Sequence, residues 1–208
     1  MNLFSTSFNE GEAIPARYAF ARIAPETHIA LSDNLNPHLA WTDAPAQTGS
    51  FVLICHDPDV PSRGDDVNQE DRSVPMSLPR VDFFHWTLLD IPAGTTEIAE
   101  GRHARGVTPR GKSGPAAPDG LRHGLNDYTG WFAADAEMVG AYFGYDGPCP
   151  PWNDERLHHY VITLYALDVP ALEVTGDLDG NSVRRALQGH ILATATLSGT
   201  YSLNPSVC

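Results

Sequence analysis

The chain has 208 residues, 42% of them hydrophobic and 19% charged, and its 26 acidic and 13 basic residues give a formal net charge of −13. This composition indicates a globular chain, and its length predicts a single domain over residues 1–208. So acidic a surface repels nucleic-acid phosphates and anionic lipid headgroups, which excludes general affinity for either. No apolar run approaches the ~20 residues that a membrane-spanning helix needs, so no integral membrane association is predicted.

The three cysteines, Cys55, Cys149 and Cys208, are too few and too widely spaced for a disulfide framework. The N-terminal residues show no basic stretch followed by an apolar block, so no signal peptide is visible. Both observations favour a reducing compartment, and we expect the protein to be cytoplasmic.

Four segments are predicted as β-strands. Residues 51–55 form a continuous apolar run that ends before a proline, and residues 83–91 are aromatic and apolar up to the next proline. Residues 159–167 are rich in β-branched and aromatic types. Residues 193–203 alternate small or apolar side chains with hydroxyl side chains, which is the clearest strand pattern in the chain.

One helix is predicted near the C-terminus, capped by Asn181 or Ser182. Apolar residues at four-residue spacing mark its buried face: Val183, Leu187 and Ile191. A weaker helical turn is predicted over residues 135–141. Several short strands with one late helix indicate a mostly β, antiparallel domain, most simply a sandwich. The Gly- and Pro-rich loops at 61–80 and 101–130 are expected to act as lids.

Residues 106–113 match the letters of the phosphate-binding P-loop, G-x-x-x-x-G-K-[ST], and include Lys112, the single lysine of the chain. That mechanism needs a buried strand before the motif and a helix after it, because the helix N-terminus holds the phosphates. The flanking residues fit neither element. We therefore treat the match as a coincidence within the locally basic stretch 101–124.

Polar residues at the strand ends are the candidates for a site. Asp57 and Asp59 follow the first strand, and period 2 places them on the same side, where they could hold a metal or orient a histidine. The simpler alternative is a solvated proline turn. His85 lies within the second predicted strand, at residues 83–91. We interpret it as a buried core residue, unless the fold brings a second polar side chain next to it. His158 and Tyr160 open the third strand and share one face.

A zinc site is an alternative for four candidate ligands: Asp57, His85, Cys149 and His158. Nothing in their spacing supports it, and we predict neither a metal nor a cofactor. No nucleophile elbow, zinc-protease helix or dinucleotide-binding turn occurs in the sequence.

In their order and spacing, these segments resemble the phosphatidylethanolamine-binding protein family, also called the Raf kinase inhibitor family. The resemblance rests on D-P-D-x-P at 57–61, F-x-H-W at 83–86, G-x-x-G-P-C-P-P at 144–151 and H-x-Y at 158–160. The run Asn126-Asp127-Tyr128 and the ending Gly199-Thr200-Tyr201 make the chain most similar to the bacterial and archaeal YbhB/YbcL-like branch.

The resemblance implies an antiparallel Greek-key β-sandwich with a small pocket at one end that binds phosphate or a similar anion. It also implies the residues that would line the pocket: Asp57, Asp59, His85, Gly147, Pro148, His158 and Tyr160. Three more would flank it: Phe83, Trp86 and Cys149. In the last of these motifs the family has an arginine where this chain has His159. This difference affects the salt bridge that supports the outer side of the motif, and it leaves the pocket residues unchanged.

Two histidines, one tyrosine and loop amides can donate hydrogen bonds to an anion. Asp57 can accept from a histidine N–H and raise the pKa of that ring, which predicts tighter anion binding at lower pH. We therefore expect a non-catalytic binding protein for a phosphorylated small molecule or headgroup, with modulation of a protein partner as its role. Two alternatives stay open. One is a hydrolase or lyase using His85 or His158 beside Asp57, with Cys149 as nucleophile, and the other is a structural role, for example as a homodimer.

Overall fold

A computed structural model describes residues 1–207 of the chain. Within these residues there are ten strands: β1 (Asn2–Phe4), β2 (Ala21–Ala24), β3 (His28–Leu31), β4 (Leu39–Thr42), β5 (Ser50–Pro61), β6 (Arg80–Pro92), β7 (Glu97–Ile98), β8 (Arg122–His123), β9 (His158–Leu167) and β10 (Ile191–Tyr201). There are two α-helices: α1 (Tyr128–Trp131) and α2 (Gly180–Ala186). Neither of these helices is long and apolar enough to cross a membrane.

The strands form three sheets in which all strand pairs are antiparallel, as predicted. The central sheet has the order β10-β9-β5-β6-β8, the second sheet has the order β1-β4-β7, and β2 pairs with β3. Phe51 on β5 packs in the same cluster as Trp41 of β4, whereas Val52 packs with Val183 of α2. Because β5 is covered on both faces, its sequence is a continuous apolar run. The predicted mostly β fold is confirmed.

All four predicted strands are present, although their ends differ from the prediction. β5 continues past the proline that was expected to end it, because Pro58 lies where the register with β6 shifts, between Asp57 and Val60. A proline is tolerated at such an irregularity because no ladder hydrogen bond is needed from it. This extension carries β5 to the edge of the candidate site.

The C-terminal helix α2 is present, but its predicted cap is wrong. The N-cap is Asp179, whose carboxylate accepts a hydrogen bond from the backbone N–H of Ser182 at 2.7 Å. Asn181 and Ser182, the two predicted caps, are instead the second and third residues of the helix. The predicted apolar face is also too long, because the helix ends at Ala186 and Ile191 is a 44% exposed residue of β10.

The helical turn predicted over residues 135–141 is a single hydrogen-bonded turn, closed by the bond from Val139 N to Asp135 O at 2.7 Å. The short helix α1 forms earlier, at Tyr128–Trp131, where no helix was predicted. Tyr128 is buried and stacks on Phe20 with ring centroids 4.8 Å apart. Tertiary packing, and not local propensity, therefore decides where this one-turn helix forms.

Candidate ligand-binding site

A cavity of about 500 Å³ opens at the end of the central sheet where β5, β6 and β9 meet. Its walls are largely apolar and aromatic, and include Phe20, Ile29, Phe83, Tyr128, Phe132 and Met138. The most deeply buried polar side chains that line it are Asp57, His85, His158 and Tyr160, each no more than 3% exposed. We call these four side chains the polar floor.

The cavity thus brings together six of the residues singled out in the sequence: the polar floor, Phe83 and Cys149. Four others lie outside its lining: Asp59, Gly147, Pro148 and Trp86. Trp86 is fully buried in the main core and meets Tyr145 edge to face at 5.5 Å. The Pro148 carbonyl accepts a hydrogen bond from Phe20 N at 2.9 Å.

Gly147 supports the site from behind. Its N–H donates to Asn34 Oδ1 at 2.8 Å, and its carbonyl accepts from the Tyr128 hydroxyl at 2.8 Å. A Cβ at this position would lie 2.0 Å from the Tyr18 carbonyl oxygen, so only glycine fits this close approach. Because its amide is already bonded, Gly147 does not offer the loop donor that was expected for an anion.

Asp59 anchors the outer side of the motif. Its carboxylate accepts from Arg156 Nη1 at 2.9 Å and lies 2.8 Å from His159 Nδ1. Burial raises the pKa of Asp59, but the hydrogen bonds from His159 and Arg156 outweigh it and leave the pKa below its usual value. His159 thus keeps the outer contact of the motif, and Arg156 provides the permanent positive charge.

His158 is held between two carboxylates. Its Nδ1 lies 2.6 Å from Asp57 Oδ2 and its Nε2 lies 3.0 Å from Asp154 Oδ2. Asp154 in turn pairs with Arg80, with Nη2 3.0 Å from Oδ1. Burial lowers the pKa of His158, but the bonds to Asp154 and Asp57 outweigh it and raise the pKa to about 9. Both N–H groups of the charged ring are therefore used within the protein.

The expectation that both histidines donate to a ligand is therefore wrong for His158. Asp57 does accept from a histidine and raise its pKa, as the sequence suggested, but that ring has no donor left for a ligand. The ring that keeps a free nitrogen is His85.

His85 Nδ1 lies 2.8 Å from the backbone carbonyl of Asp146. Because a carbonyl only accepts, Nδ1 carries the proton and Nε2 of the neutral ring keeps a lone pair. The ring is packed against Phe83 and Tyr160, with centroids 5.0 and 5.1 Å away. Burial lowers the pKa of His85, and the nearby Asp57 charge only partly offsets this. The neutral tautomer thus presents Nε2 as an acceptor.

The Tyr160 hydroxyl is a buried atom with no hydrogen-bond partner among residues 1–207. Burial and the Asp57 charge raise its pKa well above the usual value, so the phenol keeps its proton. Buried polar atoms normally have a partner, and an orphan in a cavity wall calls for a bound molecule or water. Because Asp57 also attracts this hydroxyl and contributes to its raised pKa, a ligand would share the Tyr160 O–H with the Asp57 carboxylate.

A second buried cluster positions His85 from behind. Asp146 is fully buried and accepts from Asn34 and Asn126, each at 2.8 Å, and from Lys112 Nζ at 2.7 Å. Lys112, the lysine of the apparent P-loop, thus forms an internal ion pair, and the first α-helix after the motif, α1, begins only at Tyr128. The structure is therefore consistent with the interpretation that the P-loop match at 106–113 is a coincidence.

The loop at 61–80 lines the cavity, through Arg63, Val67 and Asn68 among others. It is tied down by Asn153, whose side-chain amide donates to the carbonyls of Asp66, Gln69 and Arg72 at 2.8, 3.2 and 2.9 Å. Asn153 and Asp154 were not identified from the sequence. Asp154 could have been found as the carboxylate four residues before His158.

The basic stretch 101–124 contributes no residue to the cavity lining. Two of its arginines pair with acids instead: Arg102 with Asp119 at 2.5 Å and Arg122 with Asp90 at 2.5 Å. The part of the 101–130 loop that reaches the cavity is Tyr128.

Cys149 lines the cavity, and burial raises its pKa to about 12. In a Cys208→Ser variant, which leaves Cys55 and Cys149 as the thiols, we expect an aromatic disulfide reagent at pH 7.5 to react at least about tenfold more slowly than with glutathione, because the thiolate is the nucleophile. Rapid modification would instead support the nucleophilic role considered above. Cys208 itself lies outside the described residues.

The fold and the cavity define an antiparallel β protein with an apolar pocket over a buried polar floor. The family model for phosphatidylethanolamine-binding protein matches residues 4–202. The chain therefore belongs to the phosphatidylethanolamine-binding protein family, as its motifs indicated.

The relatives agree with the predicted branch. The chain is 29% identical to the UPF0098 protein YbhB of Escherichia coli, over 97% of this chain and 100% of that one, and 30% identical to a UPF0098 protein of Aquifex aeolicus, over 97% and 88%. Among solved structures, a homologue of phosphatidylethanolamine-binding proteins from Chlamydia trachomatis is 28% identical, with a TM-score of 0.63 over 97% and 96% of the chains. Escherichia coli YbcL, at 24% identity, shares the fold with a TM-score of 0.68 over 97% of each chain.

Proposed function

We propose that this protein binds a small phosphate-bearing molecule with an apolar portion in the cavity, without transforming it, and so modulates a protein partner in the cytoplasm. The observation that carries the proposal is the Tyr160 hydroxyl, a buried atom without a hydrogen-bond partner among the described residues, beside the His85 ring at the bottom of an apolar cavity. The free thiols Cys55 and Cys149 fit the reducing compartment.

The charges around the floor support a ligand with limited negative charge. Asp57 and Asp154 are balanced by the His158 imidazolium and the Arg80 guanidinium, so this buried network adds no net charge. An anion that reaches the floor can accept from the Tyr160 O–H. Arg63, in the lining of the cavity and 64% exposed, lies at the rim with its Nε 3.8 Å from Asp65 Oδ2, so its positive charge there is largely offset.

Binding is favoured over catalysis by the state of the reactive groups. His158 cannot move a proton to a ligand while both of its nitrogens bond to carboxylates. The Cys149 thiol stays protonated at neutral pH because its pKa is raised to about 12. A hydrolase or lyase would need a nucleophile or base that is free to react in this cavity.

Titration calorimetry with inorganic phosphate and with phosphoethanolamine tests the proposal. The wild-type protein should bind at least one of them, and His85→Ala should weaken binding by about 10- to 100-fold, since a hydrogen bond to a charged group contributes about 1.5–3 kcal/mol. His190→Ala is the matched control, because His190 is a partly exposed histidine outside the cavity that pairs with Asp168 at 2.9 Å. The unfolding temperature of each variant separates lost binding from lost folding. The absence of binding to the wild-type protein would count against the proposal.

A further inference from the structure

Strand β10 is an outer strand of the central sheet, and the second half of its free edge is covered. There the backbone groups that point away from β9 are bonded to the N-terminal segment 10–14. Ser198 O accepts from Gly11 N at 2.8 Å, and Thr200 N donates to Glu12 O at 2.9 Å. This cover ends at Ser198.

The first half of the same edge is open. The pairing of β10 with β9 is regular from Ala193 to Tyr201, and the backbone groups of such a strand change direction at every residue. The N–H and C=O groups of Thr194 and Thr196 therefore point the same way as those of Ser198. Within the described part of the chain these groups have no hydrogen-bond partner on that side, and both threonine side chains are exposed. An open edge of this kind is a template for a further strand.

The open stretch lacks the features that usually keep edge strands from pairing. Residues 193–197 have the sequence Ala-Thr-Ala-Thr-Leu, with no charged residue and no proline. The irregularity in the pairing of β10 lies before the open stretch, between Ile191 and Ala193. The chain has a formal net charge of −13, but a contact between two copies of this stretch places no carboxylate on either strand. Self-association at this edge is therefore not opposed by local charge.

We propose that this open edge pairs with the same edge of a second copy of the chain, so that the two central sheets form one continuous antiparallel sheet. A two-fold axis at Ala195 places Thr194 of one copy opposite Thr196 of the other. Each outward N–H then meets an outward C=O. The sequence from Thr194 to Thr196 is symmetric about Ala195, so the cross-strand pairs on the exposed face join two threonines, which is a favourable pair. This symmetry favours a second copy over an unrelated peptide as the occupant.

The size of the contact limits its strength. Segment 10–14 blocks the edge at Ser198, and the irregularity after Ile191 ends it on the other side, so a short stretch of each copy takes part. Such a contact buries less than the ~1,200 Å² of a standard interface. We therefore expect a reversible dimer with a dissociation constant on the order of 100 µM.

Dimer formation leaves both cavities open. Tyr201 pairs with His158, so the cavity lies beside the C-terminal end of β10. Because the two copies of β10 run in opposite directions, the two cavities lie at opposite ends of the joined sheet. Dimer formation is therefore independent of the proposed function, and a molecule bound in the cavity should leave the dissociation constant of the dimer unchanged.

Sedimentation velocity of the full chain from 5 to 500 µM measures the association, and amide hydrogen exchange at the two end concentrations is a second readout. We expect the wild-type protein to shift from monomer towards dimer over this range. The amides of Thr194 and Thr196 should exchange about threefold more slowly at the higher concentration, in proportion to the remaining monomer. The double variant Thr194→Glu/Thr196→Glu places like charges opposite each other and should weaken dimerisation by about tenfold or more.

The matched control is Thr96→Glu/Thr108→Glu, because both of these threonines are exposed and lie outside β10. It adds the same charge and should dimerise like the wild-type protein. Circular dichroism and the unfolding temperature show whether each variant is folded, and hydrogen exchange of the wild-type protein tests the contact without a substitution. A wild-type protein that stays monomeric at 500 µM, equal effects of the two double variants, or exchange of the Thr194 and Thr196 amides at the same rate at both concentrations would overturn the inference.

Discussion

Asp154→Asn should lower the free energy of unfolding by about 3–5 kcal/mol, the usual cost of removing one partner from a buried charge pair. Asp154 is 1% exposed and Arg80 is 6% exposed, and the same carboxylate also receives His158 Nε2 at 3.0 Å. The substitution keeps the shape of the side chain but leaves two buried cations without their shared counter-charge. We expect this to be among the most destabilising conservative changes near the cavity.

Urea unfolding at pH 7 measures this effect, and Asp119→Asn is its control. Asp119 pairs with Arg102 through the same bidentate chemistry, but the two side chains are 57% and 51% exposed. Exposed pairs are screened by water, so the control should unfold at the wild-type midpoint. If the two substitutions lowered the free energy of unfolding equally, burial would not be the reason that the ion pairs of Asp154 stabilise the protein.

The protein should lose about 3 kcal/mol of stability between pH 6.5 and pH 9 through His158. The pKa of this ring is about 9 in the folded protein, above its ordinary value of 6.5, so the folded state holds a proton that the unfolded state releases. The stabilisation is therefore fully present below pH 6.5 and is lost as the pH rises through 9. The histidines with lowered pKa, His56, His85, His103 and His123, oppose this loss at the lower end of the window by about 0.4 kcal/mol each, because they are neutral in the folded protein and half protonated in the unfolded chain at pH 6.5.

Urea unfolding at several pH values across this window gives the slope, and the difference in slope between the wild-type protein and His158→Gln gives the contribution of His158. The buried thiols of Cys55 and Cys149, whose pKa values are raised, add a smaller loss of stability near pH 9 in both proteins. Because that variant leaves Asp57 and Asp154 facing each other, it will also be less stable at every pH. The ring titration followed by NMR in the wild-type protein gives the same pKa without a substitution. A wild-type stability that is constant or rises from pH 6.5 to pH 9 would contradict the assignment.

The long strands could be predicted because their patterns reflect burial directly. The run at 51–55 is apolar throughout because both faces of β5 are covered, and the alternation after residue 193 reflects the different surroundings of the two faces of β10. The strands of two to four residues carry no such periodicity, and β7 and β8 each have two residues. Helix α1 was missed for the related reason that it depends on the packing of Tyr128.

The site could be predicted only in part, because its polar connections span large sequence distances. Asp154 pairs with Arg80, 74 residues away, and no local pattern indicates that these two residues meet. The sequence placed Asp57, His85, His158 and Tyr160 together through a family resemblance, but it could not show which nitrogen atoms were already bonded. That distinction between His158 and His85 changes the chemistry expected of the ligand.

The most direct test of this account is a long-range ¹⁵N–¹H NMR spectrum of the histidine rings at pH 6.5, recorded with and without phenyl phosphate. We predict that free His85 carries its proton on Nδ1, that His158 carries protons on both nitrogens, and that the ligand shifts Nε2 of His85 strongly while leaving the His158 nitrogens in place. The His85→Gln variant assigns the resonances. A ligand-induced shift confined to His158, or no shift at His85 at a saturating concentration, would contradict the assignment of His85 as the histidine that meets the ligand.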